Sequence, residues 1–370
     1  MFIHELKDIP VGSTICIYGT GSRGILLKKY LESKRNDITV KCFLDSYKDN
    51  EVIDGVPVFN IDSFEKAKFD YDIIVLASSY WQEILADLNT RNISKAKILG
   101  LHFATCLASL EDADKYSCDY FAENPDGYEK FKDKVLELFE QQEDKELFQK
   151  IYDIRKGKYP HSSLEQNQRF EEVLHQYLHY INKDAIGTII DGGVYDGAGL
   201  DMFLHHLSSV QKIYGFEPLK DLYCNSLPLV LDGDELSKIE VLPMALSDKK
   251  STMNIAVNLH GSTLTEAETQ DSIAVETISI DEFVQEKGIS KVDFIKLDVE
   301  NAEMSVLQGA MNTINKHRPQ MAISIYHSTN QFFGIPLFLA DNLNDYTYRI
   351  KHYSMNLADT VLYAIPNEKL

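Results

Sequence analysis

The chain of 370 residues is short of positive charge: 37 Lys and Arg stand against 57 Asp and Glu, a formal net charge of −20. That deficit argues against a general binder of nucleic acid or of an anionic membrane, which would have to overcome its own field, and leaves room only for a local basic pocket. Cysteine is sparse as well. Cys16, Cys42, Cys106, Cys118 and Cys224 are odd in number and form no CxxC pair, so they read as reduced thiols and exclude a disulfide framework or a cysteine zinc site. No apolar run approaches the roughly 18 to 20 residues that span a bilayer, and the start, MFIHELKDIP, lacks the apolar core of a signal peptide. Internal repeats and low-complexity tracts are missing too. These absences lead to the expectation of a soluble, cytoplasmic protein with no membrane insertion and no nucleic-acid partner.

What is present is an alternation of short apolar runs and amphipathic stretches. TICIYG (14–19) is β-branched and stops at glycine, and ILLKKYLES (25–33) places Ile25, Leu26, Leu27, Tyr30 and Leu31 on a helical face. ITVKCFLD (38–45), GVPVF (55–59) and DIIVLAS (72–78) read as strands, and WQEILADLNT (81–90) as a helix. Between residues 106 and 182 the chain turns to Glu, Lys, Gln and Tyr. KFKDKVLELFEQQ and SLEQNQRFEEVLHQYLHYI read as helices, the second with an apolar stripe of Phe170, Val173, Leu174, Tyr177, Leu178 and Ile181. From Gly187 the strand rhythm resumes in TIIDGG, KIYGFEP, IEVLPMALSD, VDFIKLDVE and QMAISIYH, with YTYRIKHYS and TVLYAIP as a closing β-pair. The expected fold class is α/β with parallel sheets. Its parts are a Rossmann-like nucleotide-binding domain over 1–105, a helical connector over 106–182 and a second Rossmann-like domain over 183–370.

TIIDGGVYDGAG (188–199) is a strand that ends in a carboxylate and runs into a glycine-rich turn; the next strand ends in Glu217. Ligands of doubly wound sheets bind at the carboxyl ends of the strands, where Asp191 and Glu217 both fall. A carboxylate after the second strand can accept two hydrogen bonds from a ribose diol. Gly193 and Gly197 let the backbone approach a nucleoside, and the following helix N-terminus suits a carboxylate or phosphate. The loop has no Lys or Arg to meet a pyrophosphate. That favours S-adenosylmethionine over NAD, the alternative being a tight turn with no ligand.

Five segments in register, TIIDGGVYDGAG, IYGFEP, VLPMALSD, DFIKLDVENAEMSVLQGA and AISIYH, resemble the FkbM family of S-adenosylmethionine-dependent methyltransferases over residues 185 to 366. The resemblance implies a class I methyltransferase domain. It places Asp191, Gly193, Tyr195 and Gly197 around the methionine part of the cofactor, Glu217 on the ribose, and the segment from Ala245 to Asp248 beside the adenine. Asn301 stands where the family has a glycine, and Leu200 where many members have Ser or Thr.

Methyl transfer from a sulfonium needs alignment, exclusion of water and, for an alcohol acceptor, a base. Alternation along VDFIKLD sets Phe294, Lys296 and Asp298 on one face. Asp298 closes the strand, Glu300 and Glu303 are expected to open the next helix, and His327 ends AISIYH. Asp298, Glu300 and His327 are therefore candidates to orient or deprotonate a hydroxyl, with Lys296 pairing with a carboxylate or with substrate. Plainer readings stand beside these: helix-start charges for Glu300 and Glu303, a structural ion pair for Lys296, a satisfied core histidine for His327. Asp298, Glu300 and His327 are also of a kind to share a divalent ion, but no metal ligands are assigned from the sequence.

GTGSRG (19–24) is a G-x-G-x-x-G loop after a strand, with Asp45 ending the next one. It resembles small Rossmann-type domains found beside sugar-modifying enzymes, which implies NAD or a nucleotide-sugar at Gly19, Gly21, Arg23, Gly24 and Asp45. Arg23 would suit a phosphate; a ligand-free structural domain is the alternative. The combined expectation is an O-methyltransferase acting on a sugar hydroxyl of a surface-glycan precursor. Its rivals are a nicotinamide-dependent oxidoreductase or epimerase run by the first domain, and a non-catalytic nucleotide-sugar binder. A homo-oligomer stays among the alternatives.

Overall fold

The computed structural model describes residues 2–3, 6–78, 81–93, 95–99, 128–156, 164, 175–224, 227, 231, 233–258, 261–265, 272–354 and 357–370. The chain divides into two compact units, Met1–Asp112 and Ala113–Leu370, each with its own sheet.

In the first unit the strands are β1 (Phe2–Ile3), β2 (Thr14–Tyr18), β3 (Thr39–Asp45), β4 (Glu51–Ile53), β5 (Val56–Asn60), β6 (Ile73–Leu76) and β7 (Ala96–Leu99). They lie in the order β1-β7-β6-β2-β3-β5-β4, all parallel except β4 against β5. β6 is apolar and buried throughout and β2 nearly so, as in parallel sheets that helices cover on both faces. Cys16, Cys42, Leu44, Ile74 and Leu76 share a core with Phe64 and Leu88. GVPVF gains a partner: Asp54 and Gly55, both at positive φ, close a two-residue hairpin between β4 and β5, which Asp-Gly favours.

The second unit contains β8 (Thr188–Gly192), β9 (Lys212–Phe216), β10 (Ile239–Leu242), β11 (Ala245–Leu246), β12 (Ser251–Asn258), β13 (Gly261–Thr265), β14 (Ser272–Ile278), β15 (Phe294–Leu297), β16 (Gln320–Ser324), β17 (Tyr346–His352) and β18 (Thr360–Pro366). The main sheet runs β10-β9-β8-β15-β16-β18-β17, with β18 antiparallel to both neighbours. β8 sits where the strand order reverses, β9 on one side and β15 on the other, the place at which open α/β sheets bind ligands. A second sheet, β11-β14-β12-β13, was not foreseen. IEVLPMALSD reads as one strand, but Pro243 cannot donate to a ladder, and Met244 N turns back to the Leu242 carbonyl. The residues after it pair with β14 instead.

The helices Glu129–Leu138 and Gln142–Arg155 belong to this second unit. Phe148 stacks on Phe332 with ring centroids 4.4 Å apart, and buried Asp144 pairs with Arg349 of β17. The helix expected over 163–181 falls mostly outside the described residues, and its end is corrected: 175–180 form turns. Tyr177 adopts φ 69°, which a helix cannot contain, although Leu178 and Ile181 of the expected stripe are buried.

Candidate active site

The turn after β8 is held from both flanks. Gly193 N and Val194 N donate to the Phe216 carbonyl at the end of β9, and Asp298 N, just past β15, donates to the Gly192 carbonyl. Gly193 has φ 83°, and a Cβ there would lie 1.8 Å from the Asp298 carbonyl oxygen. Only glycine fits so close a backbone approach. Gly197, at φ 91°, is the N-cap of the helix Ala198–His206, and Tyr195 between them is 62% exposed at the tip. Leu200 is wholly buried.

Beneath the turn lies a buried ion pair. Lys296 stands opposite Asp191 in the β15–β8 register, and its Nζ lies 3.0 Å from Asp191 Oδ1. The same ammonium donates to the carbonyls of Gly192 and Gly193 and lies 5.2 Å from the centre of the Tyr177 ring. Burial raises the Asp191 pKa, Lys296 opposes that rise, and Asp298 adds to it. Lys296 thus shapes the turn and is committed to Asp191. Glu217 accepts from Tyr195 N at 3.0 Å on one oxygen and from Leu219 N at 2.9 Å on the other. Burial raises its pKa against those two bonds. A carboxylate has about four lone-pair sites, so each oxygen keeps one acceptor for a diol. Ala245 is buried in β11, while Asp248 is exposed; Leu246 between them packs against Gly192.

On the far side of Asp298 is a cluster that joins β15 to β16. Asp298 receives hydrogen bonds from Tyr177 Oη at 2.6 Å and from Tyr326 Oη at 3.2 Å. His327 Nε2 lies 3.4 Å from Asp298 Oδ1 and 3.5 Å from Glu300 Oε2, and Nδ1 faces Glu303 Oε1 at 2.9 Å. Burial opposes a charge on His327, but Glu303, Asp298 and Glu300 together outweigh it and push its pKa up to about 9. Burial beneath its half-exposed tip, with Asp298 and Glu303 adding to it, pushes Glu300 up to about 7 against the pull of His327. Asp359, pushed to about 6 mainly by burial and then by Asp298, completes the acidic surround.

The expectation that Glu300 opens a helix is corrected. Glu300 and Asn301 both lie at positive φ in the turn, and the helix begins at Glu303. Asn tolerates that left-handed conformation better than most side chains, so Asn301 keeps the turn that a glycine would make. Glu303 does start the helix, but it is wholly buried and also accepts from Val299 N. Tyr177, Tyr326 and Asp359 are functional candidates that sequence reasoning missed. The Tyr of AISIYH was readable as the neighbour of His327, whereas nothing local marks Tyr177 or Asp359.

In the first unit Gly21 caps the helix Ser22–Lys34. Asp45 accepts from Thr20 Oγ1 and from the amides of Tyr47 and Lys48. Burial raises its pKa, but these bonds more than offset it and leave the carboxyl below its usual value. The structure brings Gly19, Gly24 and Asp45 together around Thr20.

A parallel sheet whose order reverses at a glycine turn, flanked by strand-end carboxylates, makes the second unit a Rossmann-like domain. Residues 191–350 match the methyltransferase FkbM domain. Residues 12–99 match a different domain, the N-terminal domain described as C2185-like. Among solved structures the chain is similar in fold to methyltransferase FkbM from Methylobacillus flagellatus KT, with 17% identity and a TM-score of 0.52 over 96% of this chain and 90% of that one. Fainter likenesses are to Aeropyrum pernix fibrillarin with natively bound S-adenosyl-L-methionine (13% identity, TM-score 0.31, 50% of this chain, 67% of that one) and to UDP-D-quinovosamine 4-dehydrogenase from Vibrio fischeri (18%, 0.20, 23% and 75%). No curated protein matches the chain. Among the described residues no helix is long and apolar enough to cross a membrane.

Proposed function

We propose that the second unit transfers the methyl group of S-adenosylmethionine to an oxygen of a small-molecule or glycan acceptor, a sugar hydroxyl of a surface-glycan precursor. The observation that carries this reading is the double position of Asp298. Its carbonyl touches the glycine turn, and its carboxylate belongs to the His327 cluster, so the donor side and the acid–base side meet at one residue.

The residues suit the donor: Glu217 keeps free acceptors for a ribose diol. When bound, the donor supplies an electrophilic methyl carbon, which bonds to the acceptor oxygen as the carbon–sulfur pair stays on sulfur. Asp298 holds the acceptor hydroxyl and takes its proton, and Tyr177 and Tyr326 fix the carboxylate for that task. A positioned base of this kind contributes about 10²–10⁴-fold.

The test is mass spectrometry of small molecules released from the purified chain, followed by transfer of a labelled methyl group to a panel of nucleotide-sugars. Recovery of S-adenosylmethionine or its demethylated product, and label on a sugar oxygen, supports the reading. NAD in the absence of both would overturn it in favour of an oxidoreductase.

A further inference from the structure

We infer that the cluster beside the glycine turn is a divalent-cation site, in which His327 Nε2 and Asp298 are ligands, the partly exposed Glu300 closes onto the ion, and Glu303 orients the imidazole. The inference deepens the methyl-transfer reading and rests on it for what the ion does there.

The spacing is the first argument. His327 Nε2 is 3.4 Å from Asp298 Oδ1 and 3.5 Å from Glu300 Oε2, beyond the roughly 2.7–3.2 Å of an N–H···O hydrogen bond. Neither imidazole nitrogen makes a hydrogen bond of good geometry, although His327 is only 8% exposed. An ion about 2.1 Å from nitrogen and oxygen in tetrahedral geometry holds them about 3.4 Å apart. The separation is too long for direct bonding and right for a shared cation.

The surroundings are the second. Nδ1 lies 2.9 Å from Glu303 Oε1 without the alignment of a hydrogen bond, and a small turn of the ring gives the carboxylate–histidine arrangement that fixes a metal-ligating imidazole. Tyr177 and Tyr326 donate to the two oxygens of Asp298 and set its direction. Asp298, Glu303 and His327 each offer one donor atom within 4.8 Å of the others.

The charge is the third. Glu303 is wholly buried and its Oε2 has no hydrogen-bond partner. Three carboxylates crowd one imidazole, and the neighbouring cation, Lys296, is committed to Asp191. One imidazolium balances at most one of the three carboxylates, and a divalent ion in place of its Nε2 proton balances more of that charge. Glu300, with 45% of its side chain exposed, can move onto an ion at Nε2. One imidazole with carboxylate oxygens suits Mn²⁺ or Zn²⁺. An ion there binds the acceptor oxygen and favours loss of its proton, which passes to a cluster carboxylate.

The experiment uses the full chain stripped of metal, titrated with Mn²⁺ and followed by electron paramagnetic resonance. S-adenosylmethionine binding is measured by calorimetry on the same metal-free sample. The expected result is one Mn²⁺ per chain, with a nitrogen hyperfine coupling from His327 in the pulsed spectrum. His327→Ala and Asp298→Asn should each weaken Mn²⁺ by on the order of 100-fold, and Glu303→Gln by about 10-fold. The hyperfine coupling needs no variant, so a variant that fails to fold leaves the test intact. Stoichiometry near zero, or Mn²⁺ bound without nitrogen coupling, overturns the site. Donor binding without Mn²⁺ binding sinks this inference alone. Mn²⁺ bound at His327 without donor binding upholds the site and sinks the methyl-transfer reading.

Discussion

The two glycine turns resemble each other as sequence and differ as chemistry. Both follow a buried strand, and both contain a glycine that the chain's own packing demands. A Cβ at Gly24 would lie 2.0 Å from the Gly19 carbonyl oxygen, and one at Gly193 would lie 1.8 Å from that of Asp298. Glycine therefore says little about a ligand in either place. The carboxylates separate them. Asp45 is supplied with donors by its own turn, whereas Glu217 and Asp298 retain acceptor capacity beside a buried charged cluster. A glycine pattern reports backbone closeness, and unspent buried charge reports chemistry.

The largest expected effect tests the packing half of that contrast. Gly193→Ala forces a Cβ into the Asp298 carbonyl at positive φ and should destabilise the second unit by about 3 kcal/mol or more. Gly21→Ala meets nothing within 4 Å and loses only a favoured helix N-cap, so it should cost no more than about 1 kcal/mol. Urea unfolding of the two variants, followed unit by unit, checks this; equal midpoints would remove the packing argument. Next is Lys296→Met, which strands Asp191 as an unpaired buried charge and should destabilise by about 3–5 kcal/mol. Adding Asp191→Asn to the same chain should recover part of that loss. If the single and double variants unfold alike, the buried pair does not hold the turn.

A smaller effect separates binding from chemistry. Asn matches Asp in size and still accepts hydrogen bonds, but it does not take a proton. Asp298→Asn should lower turnover about 10²-fold with donor affinity little changed. Near-normal turnover would mean that alignment alone drives transfer.

Residues at strand ends were legible in the sequence because alternation and the strand-end rule place them without knowledge of the fold. Asp191, Glu217, Asp298 and His327 came from that logic, and the structure sets all four at the carboxyl edge of the main sheet. The Lys296–Asp191 pairing becomes readable only once β15 is known to lie beside β8. Tyr177 reaches Asp298 across 121 residues of chain from a turn with a left-handed residue, and no periodicity records that. Glu303 was legible only as a helix start, since both roles ask for the same residue type. The small sheet was hidden because Pro243 divides what reads as one strand.

The most direct measurement of the central claim sets one carboxylate from each turn against the other: calorimetric binding of S-adenosylmethionine to the full chain and to Glu217→Ala and Asp45→Ala. The account predicts one molecule bound per chain. It predicts a loss of about 1.5–3 kcal/mol for Glu217→Ala, as for hydrogen bonds to a charged group, and no change for Asp45→Ala. Unchanged affinity in a folded Glu217→Ala, with the loss appearing in Asp45→Ala, would place the donor at the first turn and contradict the account.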